Sequence, residues 1–454
     1  MVLPPLMSDV QNRLPPQTKY IVGNEACERL SFYGVAAILT TYAELIFAGG
    51  GIVDSADKAD AKILVHNWKF LTYLLPLLGA FVADRYWGRY RTILWISFAY
   101  CVGHGVLSAT EGTRWGLYAG LILLAIGSGG IKPCVSAFVG DQFGPGQERQ
   151  LTKVYSLFYW SINLGAAFAF LGIPEIKKHF GYTVAFLIPG VFMLFALVIF
   201  YLGRKHYVIK PPTIHETPLS AEEKRANRST LIRITTVFLP FLVFWAVFDQ
   251  QHTTWVQQGK QMTPFEIPIP FYGNYTVSGE SMQSANPIFI MLMIPLLVGV
   301  VYPALERRGL RNTPLRRMGF GIILSAVAFF FSAMIQRRVD GGEQLSILLQ
   351  LGPYAVMTAA EILISATGLE FAFTNAPARL KSTIMSIWLL IVAFGNLLAA
   401  NITKLVAWMN ESRGAGGKIA ASEEMLIYVG LLVVVAGIFA VIAKKFPEPD
   451  RAGA

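Results

Sequence analysis

The sequence predicts an all-α integral membrane protein with twelve transmembrane helices in two six-helix halves. Three observations carry this. Of 454 residues, 54% are hydrophobic and only 15% charged, at a mean hydropathy of +0.50. A soluble chain carries about a quarter of its residues as charges, so the shortfall points to lipid as solvent. The apolar residues also fall in long runs, and about 20 of them suffice for a helix to cross the hydrocarbon core. Finally, a charged, proline-bearing stretch divides the runs six and six.

The runs lie near 20–48, 63–87, 91–110, 115–140, 151–174, 181–203, 231–259, 286–305, 316–336, 345–374, 380–408 and 423–444. A polar, Pro-rich stretch, 1–19, precedes the first, which is too long for the apolar core of a cleavable leader, so Met1 is expected to start the mature chain. Gly and Pro interrupt many runs, which membrane helices tolerate because neighbours and water satisfy the freed backbone groups. A membrane barrel is excluded, since its strands would be about ten residues long and alternating. Residues 204–230 contain Lys210-Pro211-Pro212 and Glu222-Glu223-Lys224-Arg225. They read as a cytoplasmic linker between an N-terminal half, 1–203, and a C-terminal half, 231–454. The loop 260–284 is aromatic, Pro-rich and expected outside, either as a solvated loop or as a shield over the entrance.

With both termini inside, most of the 38 Lys and Arg fall in inner loops and tails, as the positive-inside rule requires. The net charge of +10 is then topology in an inner membrane, in contact with lipid, rather than nucleic-acid binding. Cys27, Cys101 and Cys134 fall on three different segments and read as small apolar fillers. No metal-ligand spacing and no phosphate-binding loop of the GxxxxGK[ST] type occurs, so no cofactor, metal or ATP is expected, and no enzyme.

Ionisable residues inside spans cost about 2.5–3.5 kcal/mol each on insertion scales and mark partners or wet cavities. The first segment places Glu25, Glu28, Arg29, Phe32 and Tyr33 on one helical face. That face reads either as a self-neutralised ion cluster or as the wall of a cavity with protonatable carboxylates. The fourth carries Lys132 within Gly127-Ser128-Gly129-Gly130-Ile131-Lys132-Pro133, deep in an apolar run. The seventh places Trp245, Phe248, Asp249 and His252 on one face, and the tenth carries Glu361 within Ala359-Ala360-Glu361-Ile362-Leu363-Ile364-Ser365, Ser365 counting with it as a binding candidate. Cationic groups thus gather in the first half and carboxylates in the second. A zwitterion could lie across them, its carboxylate toward Arg29 and Lys132, its ammonium toward Glu361. That favours amino acids or peptides over sugars or simple ions. His66 and Tyr73 share a face of the second segment, where His66 is either a merely capped side chain or a proton sensor.

At these residues the chain resembles the proton-dependent oligopeptide transporter family of the major facilitator superfamily. Glu25-x-x-Glu28-Arg29 with Tyr33 matches its helix 1 pattern ExxERFxYY. The stretch Gly79-Ala80-Phe81-Val82-Ala83-Asp84-Arg85-Tyr86-Trp87-Gly88-Arg89-Tyr90-Arg91-Thr92 matches its helix 2–3 pattern, and Phe158-Tyr159-Trp160-Ser161-Ile162-Asn163-Leu164-Gly165 its helix 5 pattern. Phe244-Trp245-Ala246-x-Phe248-Asp249-Gln250-Gln251 and Asn286-Pro287 look like its helices 7 and 8. The resemblance implies a major facilitator fold and symport of protons with di- and tripeptides by alternating access, with a monomer as the expected working unit. It implies that Arg29 and Lys132 hold the peptide carboxylate, Glu361 the amino terminus, and Asn163 and Asn286 the backbone. Tyr33, Tyr73, Trp245 and Trp388 would line side-chain pockets. Glu25, Glu28 and Asp249 would couple protons. Tyr100 and Trp95 match no motif and read as packing.

The chain departs from the pattern at Leu30 and Phe32, where the family has Phe and Tyr, and at Ala36, where many bacterial members have an Arg that pairs with the helix 7 acid. Many of those members also insert two helices between the halves, for which this linker is too short. His66 resembles the helix 2 histidine of animal-type members. A His66–Asp249 outer gate is therefore expected, with Lys69, one turn away, able to compete for Asp249. Asp84 with Arg85 and Arg89 reads as a cytoplasmic latch. Nitrate or a drug-like solute is the alternative cargo, disfavoured by the carboxylates; a membrane receptor is the alternative class.

Overall fold

In the computed structural model the chain is described over residues 14–144, 147–212, 220–271, 273–309, 313–375, 380–413 and 418–446. Residues 1–13 of the polar N-terminal stretch and 213–219 of the expected linker lie outside that description. The helices, in order, are α1 (Thr18–Ala48), α2 (Ser55–Val82), α3 (Arg89–Ala109), α4 (Arg114–Asp141) and α5 (Glu148–Leu202). They continue as α6 (Ala221–Phe238), α7 (Phe241–Phe248), α8 (Thr254–Lys260), α9 (Ala285–Leu296) and α10 (Tyr302–Arg307). The last four are α11 (Pro314–Asp340), α12 (Leu351–Asn375), α13 (Lys381–Arg413) and α14 (Ala421–Lys445).

Among the described residues, nine helices are long and apolar enough to cross a membrane, and the pair α6 and 241–260, bent by 43°, makes a tenth. α5 runs through both of the segments expected near 151–174 and 181–203, and Gly181, at φ 77°, breaks its helical geometry between them. α2 falls outside the set because His66, Asn67 and Lys69 interrupt its apolar run. With α5 as two spans and α2 as one, twelve result. Val433 and Val434 on α14 are each 60% exposed, the outward apolar face a lipid solvent permits.

Helix ends differ from the apolar runs where polar turns extend them. α6 begins at Ala221 rather than near 231, because Ser220 and Glu223 form a reciprocal capping box. The loop 260–284 contains an exposed hairpin, β1 (Phe265–Ile269) antiparallel to β2 (Gly273–Val277).

The described residues gather into two compact units, one within 1–35, 75–169 and 176–216, the other within 36–74, 170–175 and 217–454. In the first, α4 lies so close to its neighbours that only glycine fits. A Cβ on Gly79 would meet the Gly130 Cα at 2.5 Å, and one on Gly129 would meet the Leu75 Cβ at 2.5 Å. In the second, Trp255 stacks on Phe329 at 5.8 Å and meets the Tyr354 edge at 4.7 Å, while Phe329 meets Tyr428 at 5.7 Å. These rings are fully buried and anchor α8, α11, α12 and α14 to one another.

Gly79→Ala therefore drives a methyl into backbone that has no rotamer to yield. It is expected to cost about 1–3 kcal/mol, the usual range for overpacking. Thermal unfolding of the purified variant in detergent checks this; an unchanged midpoint would mean that α2 and α4 separate freely.

Candidate functional site

The polar residues fall into three groups. The first is on α1, in the first unit. Arg29 Nε lies 2.7 Å from Glu25 Oε1 and 2.8 Å from Glu28 Oε2, with all three side chains buried. One guanidinium thus faces two carboxylates. Glu25 Oε2 and Glu28 Oε1 meet no hydrogen-bond donor among the described residues. α5 reaches this cluster through Gly165, where a Cβ would lie 2.8 Å from the Ala26 carbonyl oxygen and 3.2 Å from the Arg29 Cβ. That explains a glycine two residues after Asn163, whose side-chain amide donates to the Tyr159 carbonyl at 2.9 Å. Lys132 Nζ lies 3.8 Å from the centroid of the Phe32 ring, and the Tyr33 ring stands edge-on to Phe32 at 5.2 Å. Glu25, Glu28, Arg29, Phe32 and Lys132 therefore belong to one neighbourhood, as the helical spacing on α1 led us to expect.

The second group lies in the other unit. Lys69 donates to Asp249 Oδ1 in a pair whose side chains are each 4% exposed. Asn396 on α13 donates to Asp249 Oδ2 at 2.6 Å, and its Oδ1 faces His66 Nδ1 at 3.1 Å. Because the Asn396 amide nitrogen is turned to the carboxylate, its oxygen must accept, so His66 Nδ1 is the donor. His66 Nε2 is then free to accept from the Gln250 amide and the Thr253 hydroxyl, both at 3.2 Å. The Gln250 amide also donates to the Tyr428 hydroxyl at 3.1 Å. Every one of these bonds suits a neutral imidazole. The direct His66–Asp249 pair expected from sequence is thus replaced. Lys69 takes the carboxylate, because a permanent ammonium attracts it fully whereas an imidazole does so only when protonated. His66 reaches Asp249 through Asn396. His252 Nε2 lies 4.0 Å from Asp249 Oδ1, and its Nδ1 bonds Gln283 Oε1 at 2.6 Å.

The third group surrounds Glu361 on α12, in the same unit. Asn286 on α9 donates to Glu361 Oε2 at 2.7 Å and approaches the Thr358 hydroxyl at 3.1 Å. Trp245 and Trp388 stand edge to face at 6.2 Å, and Trp388 also packs on Phe238 at 4.9 Å. Trp245 Nε1 and Ser365 Oγ are buried with no hydrogen-bond partner among the described residues. Tyr73 packs partly buried against the hydrophobic core of this unit.

The sequence reading missed several buried charges. Lys62 donates to both oxygens of Glu424, at 2.6 and 2.8 Å. Glu44 takes Gln257 at 2.9 Å and Lys260 at 2.5 Å, and the Thr41 hydroxyl donates to Glu280. Lys62 was findable, since 62, 66 and 69 share a helical face. Glu44 and Glu424 carry no such local signal, because their partners lie far along the chain. In the first unit, His104 Nε2 bonds the Ser31 hydroxyl at 2.7 Å, and its ring stacks on Tyr100 at 5.2 Å. Tyr100 packs as expected, while Trp95 is exposed. At the expected latch, Arg89 bonds Asp141 at 2.5 Å and lies 3.5 Å from Asp84, and Lys210 lies 2.9 Å from Asp141. Asp141, unremarked in the sequence, is the carboxylate at its centre.

The model of the POT family matches residues 90–219 and 209–422. "Peptide transporter family 1" of Drosophila melanogaster is 34% identical over 371 residues, 72% of this chain and 48% of the relative. "Solute carrier family 15 member 1" of Oryctolagus cuniculus is 32% identical over 379 residues, 71% of this chain and 52% of that protein. The chain spans about half the length of the curated relatives it matches. A crystal structure of an auto-inhibited POT family peptide transporter superposes with a TM-score of 0.84 at 32% identity, covering 97% of this chain and 99% of that one. A POT family transporter structure solved in meso gives 0.85 at 34%, covering 95% and 98%. The chain is therefore a multi-pass membrane protein with the major facilitator fold, not an enzyme, and it belongs to the POT family.

Proposed function

We propose that the protein is a proton-coupled symporter that imports di- and tripeptides by alternating access across the inner membrane, as a monomer with both termini cytoplasmic. Arg29 and Lys132 hold the peptide carboxylate and Glu361 the amino terminus. Asn163 and Asn286 bind the backbone. Tyr33, Tyr73, Trp245 and Trp388 line side-chain pockets, and Ser365 is a further substrate contact. Glu25, Glu28, His66 and Asp249 carry the proton coupling. Residues 1–203 and 231–454 serve as the two moving halves and 204–230 as the linker.

The observation that carries this reading is the charge arithmetic on α1. Two buried carboxylates share one guanidinium, and Lys132, in the same neighbourhood, is the second cation that balances them. That balance matters, because an unpaired buried charge costs several kcal/mol. When a ligand carboxylate draws on Arg29, the two glutamates lose attraction and a proton becomes the cheaper compensation. Binding of anion and proton are thereby linked. Glu361 accepts from the neutral amide of Asn286, and its carboxyl is the group offered to an ammonium. Asp249, held by Lys69 and bridged to His66 through Asn396, offers a second place where a proton changes an ion pair.

The first test is uptake of labelled dialanine into proteoliposomes with and without an inward proton gradient. Gradient-driven accumulation, competed by unlabelled dipeptide and lost in Glu361→Gln, is expected. Entry of nitrate or free amino acids with no dialanine uptake would discard the substrate and keep the fold. Lys69→Met leaves Asp249 buried without its cation and is expected to lower stability by about 3–5 kcal/mol. Adding Asp249→Asn should recover most of the loss, and calorimetry of the three variants reads it. His66→Gln is expected to change the dependence of uptake on pH. An unaltered profile would remove His66 from the coupling scheme.

A further inference from the structure

We propose that the hairpin of β1 and β2 is a lipid anchor: its apolar face lies on the bilayer surface, and the Phe271 ring at its tip enters the acyl region of the adjoining leaflet. Successive side chains of a strand point to opposite faces. Phe265, Ile267 and Ile269 therefore share one face, and the register sets Val277 and Tyr275 beside Phe265 and Ile267 on that face. Glu266 and Thr276 are paired on the reverse face, where the Asn274 amide donates to Glu266 Oε2 at 2.9 Å. The hairpin is thus apolar on one side and polar on the other. Phe265, Ile267 and Ile269 are each 41–42% exposed, and Phe271 is fully exposed.

The root of the hairpin says what lies beside that face. Thr263, just before β1, donates to the Leu345 carbonyl at 2.8 Å and accepts from the Ile347 N–H at 2.9 Å, at the start of the apolar run that becomes α12. Lys260, three residues earlier, ends α8. The Tyr275 hydroxyl donates to the Leu171 carbonyl at 2.9 Å, near the end of the run 151–174. Three membrane-crossing runs thus end at the hairpin, which leaves the protein at the level where they leave the lipid. Because Tyr275 belongs to the apolar face, its bond turns that face toward a span end rather than toward water. Its apolar ring with a satisfied hydroxyl also suits the aromatic belt of a membrane boundary. Beside the root, Leu348, Leu349 and Leu351 present exposed side chains, as lipid permits. The apolar face of the hairpin continues that lipid-facing surface.

Phe271 adds an independent argument. Among the described residues it is the one non-glycine with a positive φ, at 67°. A bulky side chain is disfavoured in that left-handed region, where glycine or asparagine sits more easily. A ring held there in water gains nothing that offsets the strain. A ring held there in the acyl region gains the removal of its apolar surface from water.

The test uses the full chain in lipid nanodiscs, with p-trifluoromethylphenylalanine at 271 and, as the reference, at 266 on the polar face. Fluorine relaxation is read with dissolved oxygen, which concentrates among acyl chains, and with a gadolinium chelate confined to water. The ratio of the oxygen effect to the chelate effect should be at least about 5-fold higher at 271 than at 266, for a ring at the depth of an interfacial anchor. Hydrogen exchange of the strand amides gives a second readout. Phe271→Asn relieves the strain, so in a hairpin standing in water it should slow exchange or leave it unchanged. For an anchored hairpin it should speed exchange by at least about 5-fold, because the buried ring is lost. Equal relaxation ratios at 271 and 266 with no faster exchange in Phe271→Asn overturn the proposal. A fluorine at 271 shielded from both agents also overturns it, since the ring would then lie against protein, either as a lid over the entrance or on a second copy of the chain.

Discussion

A charge taken out of water into the interior of a membrane protein costs several kcal/mol unless another charge stands opposite it. That constraint organises the second unit. Lys62 faces Glu424, Lys69 faces Asp249, and Lys260 faces Glu44. Each pair joins elements far apart along the chain, so the demand for neutrality selects which helices become neighbours. Where charges run out, amides continue the same work. Gln250, Asn396 and Gln283 use both their donor and acceptor ends to tie His66, Asp249 and His252 into one arrangement. In such a network an amide cannot rotate without breaking two bonds at once.

The first unit meets the constraint differently. Its arginine lies between two carboxylates, and its lysine rests on an aromatic ring. The two carboxylates are balanced by the arginine together with that lysine, which acts electrostatically on Glu25. The glycines at 79, 129, 130 and 165 make this possible by removing the side chains that would hold the helices apart.

Much of this was legible in the sequence. The twelve spans follow from apolar run length, and the α1 cluster follows from a spacing of three and four residues, both local properties. Glu361 announced itself by standing alone in an apolar run. What the sequence left open was the outcome of competition between distant groups. Lys69 and His66 sit on one face, and only the fold decides that the ammonium takes Asp249 while the imidazole takes Asn396. The missing arginine at Ala36 is answered by that same lysine, a compensation no single segment reveals. Asn396 carried no signal, since an amide in a membrane helix is as often bonded to its own backbone. Helix ends were misplaced wherever a polar cap such as Ser220 extended a helix beyond its apolar run.

The membership of residues 36–74 in the unit formed mainly by 217–454 bears on how the chain is made. Lys62 and Lys69 are synthesised well before Asp249 and Glu424, the carboxylates they will hold. The early segment therefore carries two cations and a carboxylate, Glu44, whose counter-charges all lie later in the chain. Both signs of charge in the second unit are thus completed only by its later helices. A C-terminal half made alone would carry those acids into lipid with nothing to meet them.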